Sequence, residues 1–245
     1  STNTRLVQAG CSLESSVVDL WRSAAAELFR SSMLIGDSFD VDRLLDRLGE
    51  PTTDNCVARS LSFLIDTKDE YTRTLGRFVH YSLYEYLVAL DIVVFLRDLT
   101  MDYSVSDAAN PLSEKLVEKL GLDITRSIRF HMIKILGDGG AQMGEMVSSE
   151  LLRLSRRENL SDGELVAMNM LGYLIARLFP EREQTLREAW VHEKHPFMRC
   201  SLGWALAHMG DIQTAAEFVV EVGESPGTRS ATRSYLRYYY GDNPS

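Results

Sequence analysis

Residues 78–89 read Phe-Val-His-Tyr-Ser-Leu-Tyr-Glu-Tyr-Leu-Val-Ala, and the pattern of the chain changes at this stretch. Before it, two apolar runs at 61–65 and 75–79 flank a polar turn, which predicts a small β-hairpin. After it, apolar residues recur at helical spacing over 82–99, which predicts a long helix. The stretch therefore joins a hairpin to a helix.

Three helices are predicted upstream of the hairpin, over 16–30, 41–48 and 55–63. The second helix ends at Gly49, which is followed by Pro51, and both residues are typical of a helix stop. Three helices followed by a hairpin is the element order of a winged-helix module. We therefore assign residues 1–79 to such a module.

Downstream of a connecting helix and linker at 80–109, helix follows helix to the end of the chain. Residues 126–138 align with 199–211, with Arg on Arg, Gly on Gly and Asp on Asp. The offset of 73 residues equals two units of about 36, a period typical of stacked helix pairs. This pattern predicts an α-solenoid over 110–245, and the segment from His195 onwards is similar to HEAT-type repeats.

Further helices fit this repeat, namely one over 164–174 that opens on the capping box Ser161-x-x-Glu164 and a ragged last copy over 229–242. The predicted fold class is thus all-α with one small β-hairpin. Its architecture is a winged-helix module followed by a HEAT-like α-solenoid.

The composition limits the classes of function. With 26 Lys and Arg against 35 Asp and Glu, the net charge is −9. Such a chain is a poor candidate for a general nucleic-acid or anionic-membrane binder, because phosphate surfaces would repel it. No apolar run approaches the ~18 residues of a membrane span. Three cysteines without paired spacing predict reduced thiols and a cytoplasmic location. A start at Ser1 instead of Met leaves open that the chain is a piece of a longer protein.

The stretch 78–89 resembles the signature F-x-H-x-S-[FL]-x-E-[YF]-L-x-A, which lies where the winged-helix part of NACHT-type STAND NTPases ends. Every fixed position is present: Phe78, His80, Ser82, Leu83, Glu85, Tyr86, Leu87 and Ala89. In that family a winged helix precedes the signature and helical or leucine-rich repeats commonly follow it. The resemblance covers roughly residues 10–99 by element order, and 110–245 only by their solenoid character.

The resemblance implies one nucleotide-contacting residue in this chain, His80, whose imidazole would touch the β-phosphate of bound ADP. An imidazole can donate a hydrogen bond to a phosphate oxygen. For Ser82 and Glu85 a capping box at the start of the helix is the preferred interpretation. Phe78, Leu83, Tyr86 and Leu87 are predicted to be core residues.

The chain itself lacks the glycine-rich loop with Lys and Ser/Thr that cradles phosphates. Its nearest approach, Gly139–Gly144, follows a predicted helix and is followed by Glu145, whose carboxylate would repel a phosphate. We interpret it as a turn between helices. This chain is therefore predicted not to be an enzyme and to have no catalytic residues or cofactor of its own. The resemblance places ADP or ATP with Mg²⁺ in an NTPase domain upstream of Ser1.

Two surface segments are candidates for binding a partner protein. The segment 229–240 interleaves arginines with tyrosines, a composition typical of recognition surfaces, although its tyrosines could also pack on the preceding repeat. Its candidate residues are Arg229, Arg233, Tyr235, Arg237, Tyr238 and Tyr239. The cluster Arg153, Arg156 and Arg157 is better explained by the preference for cations at a helix C-terminus. No metal site is predicted, because Pro196 interrupts the helix next to His192 and His195.

The resemblance implies the regulatory and sensing half of a signalling protein. Winged helix and repeats would hold the upstream NTPase domain in its ADP-bound resting state until the repeats bind a protein trigger. The opened protein would then form a homo-oligomer in innate immunity, antiviral defence or cell-death signalling. The alternative is a stand-alone HEAT-like scaffold or adaptor that binds a partner protein without nucleotide. A DNA-binding winged helix is disfavoured, because the predicted recognition helix offers only Arg59 as a cation.

Overall fold

The structure is a computed structural model that describes residues 17–34, 38–48, 67–68, 74–78, 80–102, 112–120, 124–137, 139–211, 213 and 217. Within this part the chain is mostly helical, as predicted. In chain order the elements are α1 (Val17–Arg30), β1 (Ser38–Asp40), α2 (Val41–Leu48), β2 (Thr67–Lys68), β3 (Thr74–Arg77), α3 (Tyr81–Asp102), α4 (Leu112–Leu120), α5 (Arg126–Leu136), α6 (Gly140–Ser155), α7 (Asp162–Leu178), α8 (Glu183–His192) and α9 (Pro196–His208).

The described residues fall into two compact units. The first takes those within Ser1–Phe95 and Ser127–Ile135, and the second those within Leu96–Arg126 and Leu136–Ser245. Of the helices that the structure describes, none combines the length and apolar composition needed to cross a bilayer.

The first unit contains a small antiparallel sheet with the strand order β1-β3-β2. In this sheet Phe39 lies opposite Gly76, and Thr67 lies opposite Leu75. One predicted hairpin strand therefore coincides with β3, whereas its partner β2 occupies two residues of the stretch that we had assigned to the polar turn. The predicted strand at 61–65 lies outside the described residues, and β1 was not predicted.

The helices of the first unit bury apolar faces around this sheet. On α1 the buried residues include Ala24, Ala25 and Leu28, and Leu44 is buried on α2. An ion pair of 3.6 Å joins Arg22 of α1 to Asp91 of α3. The predictions for α1 and α2 are confirmed, because both helices carry a clear apolar face at helical spacing.

The second unit is built on α7, which contacts α4, α6, α8 and α9. Consecutive helices pair as α6 with α7 and as α8 with α9, and the pairs stack because α6 also contacts α8 while α7 contacts α9. Interior residues of this stack include Met146, Leu171, Leu186 and Leu202, all of them buried. Each pair thus covers the apolar face of the next.

The two segments that align in sequence end in the same way, at the ends of α5 and α9. Each helix is followed by a glycine with a left-handed backbone, Gly137 at φ 70° and Gly210 at φ 93°. At the second site the Asp211 N–H donates to the Leu206 carbonyl, which closes the helix in a Schellman motif. However, residues 127–135 of α5 belong to the first unit and α9 to the second. The two aligned segments thus share a local helix stop, which any helix can use, while most of α5 is assigned to a different unit from α9.

Helix α7 opens on the predicted capping box. The Glu164 N–H donates to the Ser161 hydroxyl at 3.3 Å, and the Ser161 N–H donates to a Glu164 carboxylate oxygen at 2.9 Å. Burial raises the pKa of Glu164, but the hydrogen bonds from Ser161 and the charges of Arg157 and Arg153 outweigh it, so that the pKa lies below its ordinary value. The cap is therefore strongest with Glu164 ionised.

Candidate functional site

His80 lies at the junction of the small sheet and the long helix. It follows Phe78 by two residues and directly precedes Tyr81, the first residue of α3. Its carbonyl accepts a hydrogen bond of 2.9 Å from the Leu83 N–H, and its side chain is exposed. The backbone of His80 is thus fixed by the helix start, while its imidazole faces solvent.

Aromatic rings on both sides of His80 hold this junction in place. The ring of Phe78 is 6% exposed. Its centroid lies 6.1 Å from that of Phe39 on β1 and 5.2 Å from that of Tyr84 on α3. The ring centroid of Tyr84 in turn lies 5.3 Å from that of Tyr81. The residues that flank His80 in sequence are therefore clamped between sheet and helix.

The phenol of Tyr84 stays neutral within this cluster. Its burial raises the pKa well above the ordinary value, and the nearby Tyr81 and Glu85 groups raise it further. A neutral ring suits the apolar contact with Phe78. The Tyr84 side chain therefore adds no charge to the aromatic contacts at the junction.

The predicted capping role of Ser82 and Glu85 is wrong. Because α3 begins at Tyr81, Ser82 is already the second helical residue and cannot be the N-cap. Glu85 is buried in the first turns of the helix. The helix thus begins one residue before the predicted start.

Among the predicted core residues, Phe78 and Leu87 are buried, whereas Tyr86 is 39% exposed. The Tyr86 ring stands edge-on to the imidazole of His131 on α5, at a centroid distance of 5.7 Å. Phe130, which is 52% exposed, lies against the same imidazole, and the Lys134 ammonium lies 5.5 Å from the Phe130 ring centre. Tyr86, Phe130 and His131 form what we call the aromatic patch. Sequence reasoning missed it, because it counted Tyr86 as core.

The arginine cluster of the second unit is neutralised by carboxylates. Arg153 donates two hydrogen bonds to Glu150, at 2.9 and 2.8 Å. Arg156 pairs with Glu188 on α8, and Arg157 pairs with Glu164 on α7. Arg156 and Arg157 thus join the end of α6 to neighbouring helices, whereas Arg153 pairs within α6, and the three arginines do not form a free basic surface.

The His192–His195 stretch forms the connection from α8 to α9. Pro196 opens α9, as the sequence indicated, and His195 is its N-cap. Glu193 between the two histidines is buried, and one of its carboxylate oxygens accepts the His195 N–H at 2.7 Å. In the part of the chain that the structure describes, no three His, Cys, Asp or Glu side chains are grouped so as to hold a metal ion.

The interpretation of 139–144 as a turn between helices holds only for Gly139, because residues 140–144 already form the beginning of α6. Gly139 has a left-handed backbone at φ 66° and is the N-cap of α6. A Cβ at this position would come within 2.6 Å of the Phe179 ring. The turn is thus shaped by close packing against that ring.

The remaining predicted partner residues lie outside the described residues. They are Arg229, Arg233, Tyr235, Arg237, Tyr238 and Tyr239, and the same holds for Arg59. Comparison of the chain with models of protein families, with curated proteins and with solved structures finds no match.

Proposed function

We propose that this chain is the regulatory and sensing part of a NACHT-type STAND signalling protein. In this proposal the first unit holds an upstream NTPase domain in its ADP-bound state, and the helical repeats bind the trigger. The observation that carries the proposal is the placement of His80, whose imidazole is exposed at a junction fixed by buried aromatic rings.

The elements of the first unit support a winged-helix assignment. Two helices, α1 and α2, flank strand β1, and β1 pairs with the second strand of the β2–β3 hairpin. A winged helix needs one further helix before the hairpin, and the sequence predicts it over 55–63, outside the described residues. The long helix α3 then follows the sheet directly, as the signature requires.

The site supplies one group to a nucleotide. The exposed imidazole of His80 can donate a hydrogen bond to a phosphate oxygen that a neighbouring domain presents. The remaining phosphate and Mg²⁺ ligands belong to the upstream NTPase domain. His80 thus holds the two domains together through a hydrogen bond to a phosphate oxygen of the bound nucleotide, and we call this contact the latch.

The stacked pairs α6–α7 and α8–α9 support the sensor role of the second unit. Helix pairs stacked in this way present an extended face to a partner, as in α-solenoids. Binding of a protein trigger that prefers the open form would shift a two-state equilibrium away from the ADP-bound state. The open form would then assemble as a homo-oligomer in cytoplasmic defence or cell-death signalling.

The test is the rate of ADP dissociation from the full-length parent protein, followed with a fluorescent ADP analogue. His80→Ala removes a hydrogen bond to a charged acceptor, which contributes about 1.5–3 kcal/mol. We expect the dissociation rate to rise about 10- to 150-fold and basal oligomerisation to rise with it. Ser82→Ala, at an exposed neighbouring position, is the matched control and leaves the rate unchanged. An unchanged rate in His80→Ala refutes the latch.

A free-standing helical scaffold is the second candidate. The exposed aromatic patch favours it, because aromatic residues are enriched at protein–protein interfaces and this patch needs no nucleotide. The native reading frame separates the two functions. A glycine-rich loop with Lys-Ser/Thr upstream of Ser1 supports the signalling protein, and a start codon immediately before Ser1 supports the scaffold.

A further inference from the structure

Glu193 ties the end of α8 to the start of α9. Its N–H donates to the Ala189 carbonyl and closes α8, while its carboxylate accepts the N–H of His195, the N-cap residue of α9, at 2.7 Å. The Arg199 N–H, one turn further, donates to the His195 carbonyl. One side chain thus determines how α9 leaves α8, and we call residues 192–196 the Glu193 junction.

The carboxylate of Glu193 is poorly compensated. The residue is 5% exposed, and its second oxygen is buried without a hydrogen-bond donor among the described residues. Burying a charged group in this way is costly unless it is paired.

The charged and titratable groups that face Glu193 are His195 and Lys194 in the connection and Arg199 on α9. The Arg199 guanidinium lies 4.1 Å from the centre of the Trp190 ring and donates to the Trp190 carbonyl at 2.8 Å. Lys194 is exposed and lies 3.8 Å from Glu158, which follows α6. The Arg199 guanidinium and the Lys194 ammonium thus contact groups other than the Glu193 carboxylate.

Burial raises the pKa of Glu193, and the N–H groups of His195 and Lys194 and the charges of His195 and Arg199 offset this only in part. An acid whose pKa is raised by folding stabilises the folded junction below its ordinary pKa. That contribution is lost as the pH rises through the raised value. The ionised carboxylate present at neutral pH consequently lowers the stability of the folded junction.

We propose that the Glu193 junction is a proton-sensitive hinge within the α8–α9 pair. A proton on the buried oxygen removes the charge and leaves the other oxygen to accept the His195 N–H, so the two helices are locked. Ionised Glu193 favours opening, because water can then reach the carboxylate. The hinge involves only groups of this junction, so it does not depend on the nucleotide-linked function.

The test is hydrogen exchange of the whole chain, read in peptides that contain residues 193–200 and corrected for the intrinsic pH dependence of exchange. Glu193→Gln keeps an oxygen for the His195 N–H but carries no charge. We expect the amides of this variant to be about 5- to 30-fold more protected than those of the native chain near pH 7.5. This factor corresponds to the free-energy cost of one buried group without a hydrogen-bond partner. Near pH 5.5 we expect the difference to shrink.

Two control variants assign the effect to this carboxyl. Glu158→Gln changes an 83% exposed carboxylate beside the same connection and leaves the exchange unchanged. A variant with His192→Gln and His195→Gln keeps the pH dependence if Glu193 causes it. Loss of the pH dependence in the histidine variant, or its persistence in Glu193→Gln, overturns the proposal.

A second measurement needs no variant. The carboxyl carbon of Glu193, followed by NMR in the native chain, should titrate above the ordinary pKa of a glutamate. Titration at or below that ordinary value also overturns the hinge.

Discussion

The position of His80 depends on the packing of Phe78, and the substitution Phe78→Ala tests this directly. The ring of Phe78 is almost fully buried between Phe39 and Tyr84. Removing a buried phenylalanine ring costs about 3–5 kcal/mol in transfer free energy and cavity formation. At about 2–4 °C of melting temperature for each kcal/mol in a chain of this size, we expect a fall of roughly 6–20 °C.

The assay is thermal and urea unfolding followed by circular dichroism. His80→Ala, next but one in the chain, is the matched control. Because its side chain is exposed, we expect it to change the free energy of unfolding by no more than about 0.5 kcal/mol. Phe78→Leu should lie between these two variants.

Two results would refute this argument. A loss below about 1 kcal/mol in Phe78→Ala would mean that the aromatic rings do not fix the junction. A loss of similar size in His80→Ala would mean that the imidazole is structural, and the proposed contact with a nucleotide would lose its basis.

Two further predictions concern helix ends in the second unit. Glu164→Gln should lower the free energy of unfolding by about 0.3–1 kcal/mol near neutral pH, because the amide keeps the capping-box geometry but removes the negative charge from the first turn of α7 and from the ion pair with Arg157. Since the pKa of Glu164 is lowered, this contribution exists above its ordinary pKa and is lost as the pH falls. Urea titrations of the two proteins should converge in acid, and a constant gap would contradict the argument. Gly139→Ala should cost about 1–2 kcal/mol for its left-handed backbone and about 1–3 kcal/mol more for contact with the Phe179 ring. At Gly140, where φ is 73° and a Cβ would meet no atom within 4 Å, Gly140→Ala should cost only the backbone contribution, as measured by thermal unfolding. An equal loss of stability in the two variants would contradict the packing argument.

Helices could be predicted from the sequence where apolar residues recur at helical spacing and a helix-stopping residue follows them. Helix α2 spans 41–48 as predicted, since its apolar positions end at Gly49. The capping box at Ser161 and Glu164 was also predictable, because Ser and Glu at this spacing satisfy each other locally, although α7 begins at Asp162, two residues before the predicted range. Both features depend on residues that are neighbours in sequence.

The strands were less predictable, because their pairing decides them. Strand β1 has three residues, too few for a period of two to be recognised. Strand β2 lies in a polar stretch and is a strand only because Thr67 and Lys68 face Leu75 and Thr74. Helix α3 begins at Tyr81, one residue before the predicted start, so Ser82 was a misleading cap.

The charges show why a functional surface is harder to predict than a fold. Arg153 and Arg157 find carboxylates three and seven residues away, which a sequence pattern can suggest. Arg156 pairs with Glu188, 32 residues away, only because α6 and α8 stack. Composition alone marks all three arginines as a basic cluster, although each of them is paired with a carboxylate. His80 differs from them, because the structure fixes its backbone and leaves its side chain exposed. A polar side chain that is held in place but exposed is free to bind an outside group, and for that reason the decisive substitution belongs at His80.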